Sequence, residues 1–141
     1  MREDAKLSDG VVTLSALGPA DDGPEDRLGT GPLRAFGIRA GRLVGTLDLR
    51  FAATGLARGD VDVTFALRPE ARGRGFATRA VLLACAYARC EGARRAVIQA
   101  RADDVPAAAA VARRAGFAHR GQISHADGVV LDWYLRDLDR P

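Results

Sequence analysis

Residues 61–77 constrain this chain more than any other stretch. Val61, Val63, Phe65 and Leu67 alternate with Asp62, Thr64, Ala66 and Arg68, the period-two pattern of a half-buried strand. Pro69 stops it. Arg72-Gly73-Arg74-Gly75 then leads into an Ala-rich segment where Phe76, Ala80, Leu83, Ala84 and Tyr87 recur as one face of a helix. Glycines permit positive φ and close backbone approach. The first N–H groups of a helix have no intrahelical partner, and the helix dipole adds positive potential at that end. A strand, a glycine turn and a helix start therefore make an anion cradle of the kind that holds phosphate. Arg68, Arg72, Arg74 and Arg79 add positive charge nearby. The alternative is a plain strand-to-helix turn with solvated arginines.

Around this unit the chain reads as mostly strands. Residues 1–10 read as frayed, and Val11 to Leu14 as a β-rich run. Gly18 to Pro32 is rich in Gly, Pro and Asp and reads as a loop. Arg34 to Ala40 and Arg42 to Phe51 form a hairpin about Gly41, and Thr54 to Gly59 turns back into the strand at 61–68. The helix after the cradle ends near Gly92, Arg95 to Ala100 is a strand, and a second helix runs from Pro106 to Ala115 with Gly116 as its stop. Phe117 to Ser124 and Val129 to Arg136 close as a hairpin about Asp127-Gly128. Hairpins followed by a strand–helix–strand unit predict an α/β fold with a mixed sheet and helices on its faces.

At 141 residues the chain fits one domain, and an apolar content of 48% suffices for a core. No apolar run approaches the roughly 18 residues that cross a bilayer. The charged start, Met1 to Lys6, lacks the apolar stretch of a secretory signal, so the cytoplasm is the expected compartment and no membrane partner is expected. Cys85 and Cys90 share one helical stretch, lack zinc-ligand spacing, and read as structural; no metal is expected. The net charge of +3 is mild, and the arginines lack an aromatic stacking platform, so a nucleic-acid partner is not expected.

The phosphate ligand remains to be chosen. A Walker motif is absent, because no Gly-Lys-Ser/Thr occurs. A dinucleotide fingerprint fits poorly, since Thr78 stands where its third glycine belongs. Phe65 to Ala77, with Arg72-Gly73-Arg74-Gly75-Phe76-Ala77 at its heart, resembles the acetyl-CoA motif of the GNAT N-acetyltransferase superfamily. Val111-Ala112-Arg113-Arg114-Ala115-Gly116-Phe117 resembles that family's second motif, which ends in Gly-Phe. The resemblance spans about residues 34–138, and is nearest to the subgroup with ribosomal-protein N-terminal acetyltransferases.

The resemblance implies a single domain with a mixed, mostly antiparallel sheet of six to seven strands, helices on both faces and a splayed central strand pair. It implies acetyl-CoA as co-substrate and a primary amine as acceptor. Backbone N–H groups of Arg72, Gly73, Arg74, Gly75, Phe76 and Ala77 would hold the pyrophosphate, with Arg68 nearby. Pantetheine would lie in the splay beside Leu67, where a bulge is expected near the end of strand 61–68. Asp62 stands where relatives often carry an acidic residue on this strand, and as base it would accept a proton through water; its other reading is a solvent-facing strand residue.

The sequence also departs from that pattern. Val105 and Ala108 replace the usual Asn and Ser, Ala112 replaces a common Tyr acid, and Asp104 is the candidate to replace the Asn contact. Residues 17–33 replace the helices that usually wall the acceptor site, which leaves the site either wide open or completed by a second subunit in a homodimer. These losses leave a second reading open, a catalytically weak or inactive acyl-CoA-binding module.

Overall fold

A computed structural model of the chain describes residues 7–16, 33–51, 59–101, 107–124 and 126–138. The expectations for Asp104, Val105 and the acceptor-side loop up to residue 32 lie outside these residues. The elements are β1 (Leu7–Ser8), β2 (Thr13–Ala16), β3 (Leu33–Arg39), β4 (Leu43–Phe51), β5 (Asp60–Leu67), α1 (Phe76–Cys90), β6 (Arg95–Arg101), α2 (Ala107–Arg114), β7 (Ala118–Ser124) and β8 (Val130–Asp137), with a 3-10 turn at Pro69–Ala71 before α1. The strands form one sheet in the order β1-β2-β3-β4-β5-β6-β8-β7. Every neighbouring pair is antiparallel except β5 and β6.

The eighth strand is β1, in a region expected to fray. It forms because Asp9 closes the turn after it. The Asp9 carboxylate accepts the backbone N–H groups of Val11 and Val12 at 2.9 and 2.8 Å, and Arg79 on α1 donates to its other oxygen at 2.9 Å. Val11 and Val12 are therefore turn residues, and β2 begins at Thr13. These contacts, the Val12 amide first, hold the Asp9 carboxyl well down, at about 2.

Both described helices lie on one side of the sheet rather than on both faces, as the family pattern had implied. The units β5-α1-β6 and β6-α2-β7 each join parallel strands and step in the same direction across the sheet. With the right-handed crossover rule this puts α1 and α2 on the same face, and the two helices touch. That face buries Leu14, Ile38, Leu47, Leu49, Val61, Val63 and Ile98. The opposite face carries no helix among the described residues. The buried stripe of α1 is Ala77, Ala80, Val81, Ala84, Cys85 and Ala88. Phe76, Leu83 and Tyr87, expected to lead it, are only half-buried and flank it. Small residues in the centre bring the helix axis close to the sheet, and the larger ones fill the sides.

Glycine ends both helices in the same way. Gly92 and Gly116 have φ of 99° and 90°. The N–H of Ala93 bonds the carbonyl of Ala88 at 2.9 Å, and that of Phe117 bonds Ala112 at 2.9 Å, with the shorter bonds Gly92 to Arg89 and Gly116 to Arg113 inside them. These are Schellman caps, and each turns the chain directly into the next strand.

The central pair diverges. β5 and β6 are in register only for Asp60, Asp62 and the residue between them, against Arg95 to Val97. Beyond that point β5 stays with β4 through Leu67, and β6 stays with β8 through Arg101. The expected bulge in β5 is absent: its register with β4 is unbroken, and the N–H of Arg68 continues the ladder to Val44 at 2.8 Å. The fork opens because each strand follows its outer neighbour. At its closed end Arg95 donates Nε and one terminal N–H to the two oxygens of buried Asp60, at 3.0 and 3.1 Å.

Two predictions follow from these contacts. Removing Arg95 strips a buried carboxylate of its bidentate partner, whereas removing Asp60 leaves a guanidinium that already reaches solvent. Arg95→Met should therefore cost about 2–4 kcal/mol in denaturant melts, and Asp60→Asn distinctly less; equal costs would contradict the asymmetry. Asp9 has a folded pKa below its unfolded 3.8, so its contribution is complete above that value and lost as pH falls toward about 2. The stability difference between wild type and Asp9→Asn should shrink across that window in thermal melts taken at stepped pH.

Candidate active site

A cleft of about 560 Å³ opens on the helix-bearing side of the fork. Its walls are the end of β5 (Phe65, Ala66, Leu67), the cradle and first turn of α1 (Arg72, Gly73, Gly75, Ala77, Thr78), and one side of α2 (Ala108, Ala110, Val111, Arg114). Backbone polarity follows from the β4–β5 ladder. Because Arg68 bonds β4, alternate residues Ala66 and Thr64 do so too, and the N–H and C=O groups of Val63, Phe65 and Leu67 point toward the gap.

The cradle has the geometry its sequence implies. Gly73 and Gly75 sit at φ of 79° and 83°, and a Cβ added to either would meet open space. Glycine is needed there for backbone conformation and for room on the cleft side, not for internal packing. No side chain caps the N-terminus of α1, and the first helical bond runs from Arg79 N–H to Gly75 carbonyl at 3.1 Å. The amides ahead of Arg79 thus present donors to the cleft mouth.

Of the residues singled out by sequence, Leu67, Arg72, Gly73, Gly75 and Ala77 line this one cleft. Arg74 and Phe76 turn to a smaller one of about 200 Å³ with Arg42 and Glu70. Arg68 faces a third, shallow depression beside Gly45. Arg72 folds back so that Nε donates to the Leu67 carbonyl at 3.3 Å, tying the cradle to the strand end. Arg79, expected to add to the positive field, is instead committed to Asp9. Gly45 is also required: a Cβ there would collide with the Ala66 carbonyl and with the Leu67 side chain at 2.8 Å, so glycine lets Leu67 lie across β4.

Asp62 does not line the cleft. It is the last residue of β5 still in register with β6, on the sheet face opposite the helices. Gln99 Nε2 donates to its Oδ1 at 3.0 Å across the fork, and Thr64 Oγ1 donates to its Oδ2 at 3.3 Å. Burial pushes the Asp62 carboxyl above the ordinary aspartate range, with Gln99, Thr64 and the Arg50 charge pulling back. Trp133, in register with Gln99, buries its indole Nε1 on this face without a hydrogen-bond partner among the described residues. His119 pairs instead with Asp132 at 3.0 Å near the β7 edge, and its ring tilts against buried Tyr134. Cys85 is buried, which pushes its thiol up, and both cysteines are unbridged. Among the described residues no group of His, Cys, Asp and Glu converges as a metal site, and no helix is long and apolar enough to cross a membrane.

Sequence reasoning missed Thr78, Gln99 and the α2 wall. Gln99 was findable as a polar residue in an otherwise apolar strand. The α2 wall was not, because alanines dominate every side of that helix.

The fold has counterparts among known proteins. Residues 19–117 match the acetyltransferase (GNAT) family. No curated protein sequence matches the chain. A ribosomal L7/L12 alpha-N-protein acetyltransferase, RimL, without ligand, superposes with a TM-score of 0.76 at 20% identity, covering 95% of this chain and 98% of its own. RimL in complex with coenzyme A gives 0.75 at 19% identity, with 97% and 100% covered. A spermidine N-acetyltransferase SpeG chimera from Vibrio cholerae and hSSAT gives 0.72 at 15%, with 93% and 98% covered. At these identities the structural likeness speaks for the fold, and the family match covers most of the chain. The chain belongs to the acetyltransferase (GNAT) family.

Proposed function

We propose that this chain transfers the acetyl group of acetyl-CoA to a primary amine, a peptide N-terminus or a small molecule, by direct attack. The observation that carries the reading is a single cleft that joins unpaired helix amides to an open strand edge. The amides of residues 72–77 suit the diphosphate. The outward-facing backbone of Phe65 and Leu67 suits the two amides of a pantetheine arm, bonded as an extra strand would be. An N–H at that edge would donate to the thioester carbonyl and hold the oxyanion as the amine nitrogen bonds to carbon. The carbon–sulfur bond then breaks and the thiolate leaves, while the proton lost by nitrogen passes to Asp62, directly or through water.

Asp62 suits this role because burial makes it a stronger base than an exposed aspartate, and because it sits at the crotch of the fork on the face away from the cradle. Asp104 remains a candidate contact to the cofactor. The reading puts the enzyme in the cytoplasm, and leaves the acceptor wall to residues 17–33 or to a second copy of the chain.

Thiol release from acetyl-CoA across a panel of amines and peptides tests the reading, and turnover with at least one acceptor is expected. Binding of coenzyme A without turnover on any amine would favour a non-catalytic acyl-CoA module. Gly75→Val should lower coenzyme A affinity more than tenfold in a calorimetric titration, with a stability loss of about 1–2 kcal/mol from the strained positive φ; unchanged affinity would refute the placement. The base must be ionised, so kcat/KM should fall as pH drops through the raised pKa of Asp62. Asp62→Asn should remove that limb and lower the plateau by about 10²–10⁴; an unaltered acid limb would exclude Asp62 as the base.

A further inference from the structure

We infer that Arg114 is a binding residue for a second, separate phosphate of the ligand, the 3′-phosphate on the ribose of coenzyme A. The inference rests on the acetyl-CoA reading of the cleft. The side of α2 turned to the cleft carries Ala108, Val111 and Arg114, at the three-residue spacing of one helix face. Arg114 therefore stands on the wall across from the amides of Gly75 and Thr78.

Arg113 and Arg114 both lie in the last turn of α2, where a cation offsets the helix dipole. That effect accounts for either residue equally. Only Arg114 faces the cleft. It makes no hydrogen bond or ion pair among the described residues. Of the other cations nearby, Arg79 pairs with Asp9, Arg42 with Glu70, and Arg72 donates through Nε to the Leu67 carbonyl, while Arg68 and Arg74 turn to separate depressions.

Helix amides on one wall take one compact anionic group. A guanidinium on the facing wall meets a second one, and its planar fork matches two phosphate oxygens at once. Coenzyme A carries two such groups, the diphosphate and the ribose phosphate. The acyl-bearing half of the ligand is the same with or without the ribose phosphate, so this contact sets which carrier is accepted and leaves the chemistry alone.

The test is calorimetric titration of the full chain with coenzyme A and with 3′-dephospho-coenzyme A. Wild type should bind coenzyme A about tenfold more tightly. Arg114→Gln should erase that preference while keeping the wild-type affinity for the dephospho ligand, and Arg113→Gln should keep the preference. Thermal melts check that α2 is intact, and the wild-type comparison needs no variant. Equal affinity of wild type for the two ligands would overturn the inference. So would an Arg114→Gln variant that weakens both ligands alike, which would assign the side chain to the diphosphate. Failure of wild type to bind either ligand would sink the acetyl-CoA reading beneath it.

Discussion

The bidentate ion pair between Asp60 and Arg95 stands at the first rung of a very short parallel ladder. β5 and β6 leave register after Asp62 and Val97, and the outer halves of the sheet then carry each strand away. So short a parallel ladder contributes little by itself, and parallel pairing is the weaker kind. A buried carboxylate gripped at both oxygens gives that rung direction as well as strength. Two further features depend on it. The fork above it supplies the outward-facing backbone of Phe65 and the N–H of Leu67, whose carbonyl is taken by Arg72. Asp62, on the last rung, is held across the fork by Gln99, so its carboxylate is positioned only where both strands are still together.

The cradle depends on a second constraint, the closeness of α1 to the sheet. Its buried stripe is four alanines with Val81 and Cys85, which lets the helix settle onto β5 and places its first turn beside the strand end. Arg72 then spans the turn and bonds the Leu67 carbonyl, linking the strand end to the cradle. Asp9 reaches the same helix from the far edge of the sheet through Arg79, next to cleft-lining Thr78. The hairpin β1–β2 thus braces the first turn of α1 and withdraws one positive charge from the cradle.

Those features differ in how far the sequence displays them. Strand β5, the cradle and both helix ends were legible because their signals are local: alternation over 61–68, Pro69, Gly73 and Gly75, then Gly92 and Gly116 at caps that require positive φ. β1 was not legible, since two residues carry no periodicity and their pairing rests on an aspartate that meets an arginine far along the chain. The bulge expected from the family pattern is absent, and the fork opens without it because β6 follows β8, a partner that comes later in the chain. The phase of α1 was displaced because alanine serves either surface of a helix, and counting large residues picked the flank. In α2 the same ambiguity hid Arg114, for only packing distinguishes its direction from that of Arg113.

The alanine at 112 bears on how the leaving sulfur is handled. Relatives often carry tyrosine there, yet the methyl of Ala112 is fully buried, and its carbonyl closes the cap with Phe117. With Ala108, Val111 and Arg114 toward the cleft, residues 112 and 115 face the core. The position is thus a core position in this chain, and restoring a phenol would overpack the interior before it supplied an acid. The chemistry tolerates the loss. A thiol of ordinary acidity, with a pKa near 8.5, leaves as a thiolate that takes its proton from water at neutral pH. On the proposed reading the rate then rests on what the fork would provide: a thioester held in one orientation and a backbone donor at its carbonyl.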